Sequence, residues 1–441
     1  MTVPATPPRY PWKYMIKAIN YYAAQWRALF KFWRKDLLAG VTVGIVALPL
    51  ALGFAVTTGA PPQAGLVTAI IAGMVAALFG GSNFQVSGPT GAMTVVLVPI
   101  VAKYGFQSLF LIGVLAGLVL VIMSLLRLGN YIEHVPWSVL EGFTLGIALV
   151  IALQQIPLLF EIEKAAGSHT LSVALESLST ALSTPLNWAS ILIALGALLI
   201  KRSWARIKKL IRITVTVPAS FIAIVLTTTL AELLDLDIAR IGEIPANLFS
   251  NLNFQTSSIP IYSLIYAVFA VALLGAIESL LSARVADAMA HKELGGELSH
   301  HEPNRELFGQ GIATALSSLS GGMPATGAIA RTTVNVHAGA RTRFAAITHS
   351  LFLIVVVFLL APIVALIPTA ALAGVLLGTS FRIANPVSVR EALRTTNDFR
   401  IVYLITAVSV LAIDLIWGVL IGIFFDRVMK LAKAARERKV Q

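Results

Sequence analysis

Long apolar runs, separated by short polar and basic stretches, follow one another along almost the whole chain. A transmembrane helix needs roughly 20 apolar residues to cross about 30 Å of hydrocarbon, and many of the runs have about that length. The pattern therefore predicts an all-α polytopic membrane protein. We predict about fourteen membrane segments, several of them short: 38–58, 61–80, 88–102, 106–126, 136–160, 188–200, 213–234, 261–284, 308–319, 324–336, 344–367, 369–381, 401–413 and 415–425.

Two short stretches that resemble each other open the third and tenth segments. The first is Ser87-Gly88-Pro89-Thr90-Gly91-Ala92, and the second is Gly322-Met323-Pro324-Ala325-Thr326-Gly327-Ala328. The apolar runs that follow have about 15 residues or fewer, so each reaches only from the middle of a bilayer to one face. We therefore predict two half-helices, each opened by its proline at the first helical position, with Ser87 as the N-cap of the first.

The order of the segments predicts a seven-plus-seven inverted repeat. A broken segment is third in each set of seven, and an odd number of crossings makes the second set enter the membrane in the opposite sense. The N-terminus of a half-helix presents unpaired N–H groups and the positive end of the helix dipole. We therefore predict that a small anion binds between the two N-termini. The alternative is that glycine and proline merely kink ordinary packed helices.

Basic residues cluster at the ends of alternate segments, as the positive-inside rule expects for cytoplasmic loops. With this assignment, the basic residues on the external side of the membrane are only Lys103, Lys164 and Arg240. We predict a cytoplasmic arm (1–37) and a basic cytoplasmic tail (427–441) on a multi-pass protein of a plasma membrane, which is the inner membrane in a bacterium. Within the arm, aromatic and basic side chains alternate as in an interfacial amphipathic helix contacting lipid, or in a solvated segment.

Composition removes several function classes. The 441 residues are 57% hydrophobic and 12% charged, with a mean hydropathy of +0.84, which excludes a soluble enzyme. The formal net charge is +12, but the basic residues that produce it lie at the ends of the segments, so we expect no nucleic-acid partner. The absence of cysteine excludes a disulfide framework and a thiolate metal site. No His-Glu-x-x-His, Gly-x-Ser-x-Gly or phosphate-binding loop is present, so we expect neither an enzyme nor a cofactor.

Glu278 stands in the middle of the eighth segment, where an ionisable side chain is costly and usually functional. Ser282 follows four residues later, on the same helical face. A buried carboxylate can take up a proton, and one with hydroxyls and carbonyls nearby can hold a sodium ion. We predict a coupling-ion site at Glu278 and Ser282. The alternative is a structural carboxylate that pairs with arginine or caps a broken helix.

Three further side chains are candidates for contact with the anion. Arg331, one turn into the second half-helix, can grip an oxyanion or pair with Glu278. Its alternative role is to snorkel towards the cytoplasmic surface. Thr90 and Thr326 occupy matching places in the two repeats, where their hydroxyls can bond substrate or their own helices. Phe54 is a candidate wall of the pocket, although packing is the commoner role of such a residue.

Four motifs resemble those of the SulP sulfate permease family, also called solute carrier family 26. They are the stretch 36–66 with its Ala-Gly-Val-Thr-Val-Gly and Gly-Ala-Pro-Pro-Gln-Ala-Gly-Leu, the Gly-Gly-Ser-Asn-Phe-Gln-Val-Ser-Gly-Pro-Thr-Gly-Ala at 80–92, the Gly-Ala-Ile-Glu-Ser-Leu-Leu-Ser-Ala at 275–283, and the Gly-Gly-Met-Pro-Ala-Thr-Gly-Ala-Ile-Ala-Arg-Thr at 321–332. The resemblance covers the whole membrane part of the chain.

The resemblance implies a core domain, a gate domain, a homodimer and elevator-like movement of the core. The core comprises segments 1–4 (38–127) and 8–11 (261–367), and the gate comprises segments 5–7 (136–234) and 12–14 (369–426). It also implies that the anion site is formed by Phe54, Thr90, Gly91, Ala92, Thr326, Gly327, Ala328, Ile329 and Arg331. Glu278 and Ser282 match positions that are an aspartate and a threonine at the cation site of the sodium-coupled bicarbonate members.

Two departures from the family pattern affect these expectations. Many members have a glutamine facing the anion where this chain has Leu50, which leaves fewer polar substrate contacts. The cytoplasmic STAS domain that usually follows the membrane part is not found in this sequence. We predict a secondary active transporter of sulfate, bicarbonate or a small dicarboxylate, coupled to protons or sodium. The alternatives are an uncoupled anion channel or exchanger and, disfavoured by Arg331, a nucleobase permease.

Overall fold

The computed structural model describes residues 13–132, 135–163, 165, 167, 170–210, 217–244, 259–294 and 300–440. Parts of several predicted regions lie outside these residues. They are 1–12 of the arm, the stretch 211–216 that contains the start of the predicted segment 213–234, the stretches 245–258 and 295–299 between predicted segments, Lys164, and the last residue of the tail. The described chain is mostly helical, which confirms the all-α membrane fold class.

Ten helices and one short strand lie in the described residues of the first half of the chain. They are α1 (Lys13–Thr58), α2 (Pro62–Phe79), β1 (Ser87–Gly88), α3 (Gly91–Tyr104), α4 (Ser108–Leu125), α5 (Gly129–Ile132), α6 (Trp137–Leu153), α7 (Ile156–Phe160), α8 (Thr170–Ser183), α9 (Trp188–Leu210) and α10 (Ala219–Leu233). The second half contains α11 (Ile261–Leu294), α12 (Pro303–Leu319), β2 (Thr326–Gly327), α13 (Ile329–His337), α14 (Phe344–Ala365), α15 (Thr369–Ile383), α16 (Pro386–Arg394), α17 (Asn397–Ala412) and α18 (Leu415–Val440).

Eight helical stretches within the described residues are long and apolar enough to cross a membrane. Two shorter apolar helices, α3 and α10, accompany them. The protein is therefore a multi-pass membrane protein, and the number of fourteen segments stays a prediction. Proline precedes the first residue of four helices, at Pro61, Pro136, Pro218 and Pro368, because its fixed φ suits a helix start and its missing N–H costs nothing there.

The two half-helices exist, but both begin later than the sequence predicts. Residues Ser87–Gly88 and Thr326–Gly327 are extended and pair as antiparallel strands, with Ser87 opposite Gly327 and Gly88 opposite Thr326. The helices can start only after these strands, so neither proline takes the first helical position. The prediction of Ser87 as the N-cap was wrong: Thr90 caps α3 and accepts a hydrogen bond from the Met93 amide at 3.2 Å.

The helices pack in two groups. In the first, α1, α2, α3 and α4 contact α11, α12, α13 and α14; in the second, α6, α9, α10, α15, α17 and α18 pack on one another. Small residues allow close helix crossings, as is common in membranes. At the crossing of α4 and α12, a Cβ added to Gly117 would lie 2.5 Å from the carbonyl oxygen of Gly311, and one added to Gly311 would lie 2.7 Å from that of Gly117.

Four other segments differ from the predicted boundaries. Helix α8 lies in the region 161–187, between the predicted segments 136–160 and 188–200. The many serines and threonines of α8 make its sequence look polar, but one narrow face of the helix is buried, at Val173, Ala174 and Ala181. The predicted segment 136–160 is divided between α6 and α7 by Gln154 and Gln155. Helices α1 and α11 are longer than the apolar runs within them, because each continues into polar sequence at one end.

Candidate functional site

The N-termini of α3 and α13 face each other across the β1–β2 pair. Besides the two paired residues on each side, the Ala328 amide donates to the carbonyl oxygen of Val86 at 3.0 Å. Helix α3 has 14 residues and α13 has 9, so neither is long enough to cross a bilayer alone. The sequence-predicted breaks thus lie together in the structure, with the first-turn amides of both helices left without intrahelical acceptors.

Glu278 joins the two broken stretches. Its Oε2 atom accepts hydrogen bonds from Thr90 Oγ1 at 2.8 Å and from Thr326 Oγ1 at 2.6 Å, and the two hydroxyl oxygens are 3.0 Å apart. The Glu278 side chain comes from the middle of α11 and is buried. Since both hydroxyls donate to the carboxylate, their protons are not directed at a substrate in this arrangement. The contact with Glu278 is a third role beside the two weighed from sequence, and Thr90 also bonds its own helix, as the cap that accepts from the Met93 amide.

Ser282 lies one helical turn from Glu278 but bonds elsewhere. Its Oγ atom donates to Thr332 Oγ1 at 3.1 Å, and the same threonine oxygen accepts from the Val86 amide at 3.1 Å. Ser282 is fully buried. The structure therefore places this hydroxyl between α11 and α13, and its part in a coupling-ion site stays a prediction. Among the described residues, no cluster of three or more histidine, aspartate or glutamate side chains could hold a metal ion.

Arg331 is 1% exposed and points into the protein, so the snorkelling alternative was wrong. Its Nη2 atom donates to the carbonyl oxygen of Pro89, immediately before the N-cap of the other half-helix. The guanidinium lies against Gly88, where any Cβ would overlap Nη1. Within the described part of the chain, Nη1 has no hydrogen-bond partner. A buried, permanently charged group with an unused donor is therefore held beside the helix N-termini.

A cavity of about 1300 Å³ opens in front of these groups. Eight of the eleven sequence-predicted site residues line it: Phe54, Thr90, Gly91, Ala92, Glu278, Ala328, Ile329 and Arg331. The other three, Thr326, Gly327 and Ser282, are buried and do not contribute to its lining. The remaining wall is apolar where Leu50 of α1 faces Phe143, Ile147 and Ile151 of α6.

Four basic side chains that also line the cavity were not predicted as site residues. They are Lys201 and Arg202 of α9, His337 of α13 and Arg382 of α15. Lys201 Nζ donates to the carbonyl oxygen of Val375 at 2.6 Å and to Thr379 Oγ1 at 2.5 Å. From sequence, Lys201, Arg202 and Arg382 counted only as basic residues at the ends of segments, and His337 was given no role. No signal in the sequence places them around one cavity, because the helices that carry them are far apart in the chain.

The lining is strongly cationic. Among the residues that the structure describes, it contains three arginines and one lysine, and Glu278 is its one carboxylate. Two helix N-termini add partial positive charge at the inner end. Such a surface attracts anions and repels cations, and the apolar α6 wall keeps water from surrounding a bound ion completely.

Comparisons with known proteins agree with this chemistry. The model of the sulfate permease family matches residues 33–406. A Bacillus subtilis (strain 168) protein, YvdB, named as a candidate sulfate transporter, is 36% identical over 417 residues, which are 91% of this chain and 75% of that protein. The bicarbonate transporter BicA of Picosynechococcus sp. is 32% identical over 433 residues, covering 93% of this chain and 73% of BicA.

The fold is also similar to solved structures. The transmembrane domain of a cyanobacterium bicarbonate transporter BicA superposes with a TM-score of 0.76 and 29% identity, over 90% of this chain and 98% of that one. The structure of SLC26A9 superposes with a TM-score of 0.80 over 96% of this chain and 70% of that one. At 16% identity, the second likeness concerns the fold alone.

Proposed function

The chain belongs to the sulfate permease family, and we propose that it is a secondary active transporter of a small oxyanion, driven by a coupled proton or sodium ion. The family and its relatives are anion transporters rather than enzymes. One observation carries the proposal: two facing half-helix N-termini and a buried arginine share a single cationic cavity. Sulfate and bicarbonate, the anions in the relatives' names, are the leading candidates, with a small dicarboxylate as the third.

The anion binds at the inner end of the cavity, between the first turns of α3 and α13. There the amides of Gly91 and Ala92 face those of Ile329 and the following residues, and helix termini of this kind bind oxyanions through their N–H groups. The guanidinium of Arg331 adds a permanent charge, and its Nη1 donor is unused among the described contacts. Phe54 closes one side. Thr326 and Gly327 support the site from the strand pair.

Coupling follows from the position of Glu278. An ionised carboxylate in the lining repels an anion in the same cavity, so the two charges oppose each other. A proton on Glu278, or a sodium ion beside it and Ser282, removes this repulsion. By linkage, the anion then raises the affinity for the cation by the same factor. The two ions bind together, as symport requires.

The two helix groups supply the moving parts. We assign 38–127 and 261–367 to a core that carries the anion site, and 136–234 and 369–426 to a gate whose α6 forms the opposite wall. Movement of the core past the gate, as in an elevator, opens the cavity to alternate sides. The mouth lined by Lys201, Arg202 and Arg382 lies on the cytoplasmic side, together with the arm 1–37 and the tail 427–441. The gate helices pair in a homodimer within the inner membrane lipid.

Proteoliposomes separate this function from an uncoupled channel or exchanger. Purified protein is reconstituted, and uptake of labelled sulfate, bicarbonate and fumarate is measured with an inward proton gradient, an inward sodium gradient, or neither. Symport predicts accumulation of one anion above its external concentration under one of the two cation gradients. Flux that only equilibrates the anion under every gradient would support the channel, and flux that needs an internal counter-anion would support the exchanger.

A further inference from the structure

Helix α12 carries a buried polar face that the anion site does not include. Glu306, Gln310, Thr314 and Ser317 are spaced by four, four and three residues, which puts them on one side of the helix. Each is 1% exposed or less. Polar groups buried in a membrane protein are costly unless they are bonded, and all four of these are bonded to the two broken stretches.

The first turn of α12 holds the stretch that leads into α3. Glu306 Oε2 accepts from the amides of Gly81 at 2.8 Å and Ser82 at 2.9 Å, and Oε1 accepts from Gln85 Nε2 at 2.7 Å. The Gln85 side chain in turn lies against Gly327 of β2. The carboxylate thus bonds to three residues of the first stretch.

The last turns of α12 hold the stretch that leads into α13. Thr314 Oγ1 donates to the carbonyl oxygen of Ala325 at 3.0 Å, and Ser317 Oγ donates to that of Met323 at 2.8 Å. These carbonyls lie just before β2, outside the helices and strands of the described chain. The Met323 carbonyl also accepts from Thr68 Oγ1 of α2 at 3.4 Å.

Gln310, midway along the face, bonds to both stretches at once. Its Oε1 atom accepts from Ser87 Oγ at 2.8 Å, and its Nε2 atom donates to the carbonyl oxygen of Ala325 at 2.8 Å. A side-chain amide offers an acceptor and a donor on one planar group, so it can bond to a hydroxyl and to a carbonyl at once. Ser87 is the first residue of β1, and Ala325 precedes β2, so Gln310 bridges the two sides of the strand pair from the outside.

We propose that the polar face of α12 positions the two half-helix N-termini relative to each other, with Gln310 as the central positioning residue of the anion site. Its effect on the anion rests on the proposed function, whereas its effect on geometry does not. Without the bridge, the strand pair, Glu278 and Arg331 still join the two stretches, but no single side chain of α12 bonds to both of them. We therefore expect the first-turn amides to shift relative to each other and to fit one ion less well.

Distances between spin labels test the geometry without any assumption about transport. The chain has no cysteine, so Val95→Cys and Thr333→Cys place two unique labels about one turn into α3 and α13. We expect one narrow distance distribution in the otherwise unchanged chain and a broadened or shifted one after Gln310→Met. Methionine matches glutamine in size but loses both bonds. Ser87→Ala removes only one bond, and we expect a smaller change in the same direction.

Gln154→Met is the matched control. Gln154 is also a buried glutamine, but within the described part of the chain neither of its amide atoms has a hydrogen-bond partner. We expect it to leave the label distances unchanged. Unchanged distances in Gln310→Met, or equal broadening in Gln310→Met and Gln154→Met, would overturn the proposal.

Transport supplies the second readout. In the proteoliposome assay, we expect Gln310→Met to raise KM for whichever of sulfate or bicarbonate is moved by roughly tenfold, as the loss of two hydrogen bonds implies, with a smaller change in maximal rate. Broadened label distances with an unchanged KM would remove Gln310 from the anion site. If the unmodified protein moves neither anion, the proposed function fails, and the label distances still decide whether Gln310 positions the two helices.

Discussion

Replacing Glu278 with glutamine separates anion binding from coupling. Glutamine keeps the size of the side chain, and its carbonyl oxygen can still accept hydrogen bonds from Thr90 and Thr326, which now hold Glu278 Oε2 at 2.8 and 2.6 Å. The negative charge is lost, together with the ability to take up a proton. We therefore expect the strand pair and the two helix N-termini to stay in place while the electrostatics of the cavity change.

The size of the effect follows from the position of the carboxylate. For an anion one further hydrogen-bond length beyond the two threonines that contact Glu278, we take a separation between the charges of roughly 7 Å. With an effective dielectric constant of about 20, Coulomb's law gives a repulsion of about 2 kcal/mol between an ionised carboxylate and a monovalent anion. That energy corresponds to roughly a thirtyfold difference in anion affinity.

We expect Glu278→Gln to bind the anion more tightly than the unmodified protein at a pH where Glu278 is ionised, and to lose accumulation. In the unmodified protein, anion affinity should rise as the pH falls or as sodium is added, because either cation neutralises the carboxylate. In Glu278→Gln, that dependence should disappear. The assay is anion binding to purified protein across pH and sodium concentration, followed by uptake and exchange in proteoliposomes.

Glu176→Gln, on the exposed face of α8, is the control for loss of a carboxylate elsewhere in the chain. It should leave affinity, its pH dependence and accumulation unchanged. Full accumulation by Glu278→Gln would remove Glu278 from the coupling mechanism. A weaker rather than tighter affinity would contradict the electrostatic argument, because it would mean that the carboxylate supports the anion site instead of opposing the anion.

Three further variants test the rest of the site. Arg331→Lys keeps the charge but loses the planar guanidinium that bonds beside Pro89, so we expect the protein to fold normally and KM to rise about tenfold. An unchanged KM would exclude contact between Arg331 and the anion. Gly88→Ala places a methyl group on the guanidinium, so it should lower both anion affinity and the melting temperature; normal values for both would contradict the packing. Arg382→Gln should slow uptake severalfold at low ionic strength and have little effect at high salt, because its charge acts at the cavity mouth. Equal slowing at both salt concentrations would point to a structural role instead.

The sequence predicted the parts of the fold that depend on local hydrophobicity. Apolar runs identified the membrane helices, and the repeated Pro-Thr-Gly-Ala and Pro-Ala-Thr-Gly-Ala motifs identified the two breaks. The exact helix starts were not predictable, because they depend on pairing between Ser87–Gly88 and Thr326–Gly327, more than 200 residues apart in the chain. That pairing takes Ser87 away from the helix and leaves the cap to Thr90.

The candidate site was predictable where it coincides with the motifs. Glu278 and Arg331 were singled out as candidates because a charged side chain inside an apolar segment is energetically costly and usually functional. Their contacts were not predicted: Glu278 bonds to two threonines, and Arg331 bonds to the backbone of the other repeat. The polar spacing of α12 was visible in the sequence, but its significance depends on which loops the helix faces. Only packing in three dimensions supplies that information.

Protection of an introduced cysteine tests the anion site most directly. Ile329→Cys puts a single thiol in the cavity lining at the N-terminus of α13, and Ala338→Cys puts one in the lining beyond the C-terminus of the same helix, in a chain with no other cysteine. The rate of alkylation is measured with increasing concentrations of the transported anion. If the anion binds between the two helix N-termini, it will slow alkylation of Ile329→Cys at concentrations near KM and leave Ala338→Cys unaffected. Equal rates at Ile329→Cys with and without saturating anion would contradict the account.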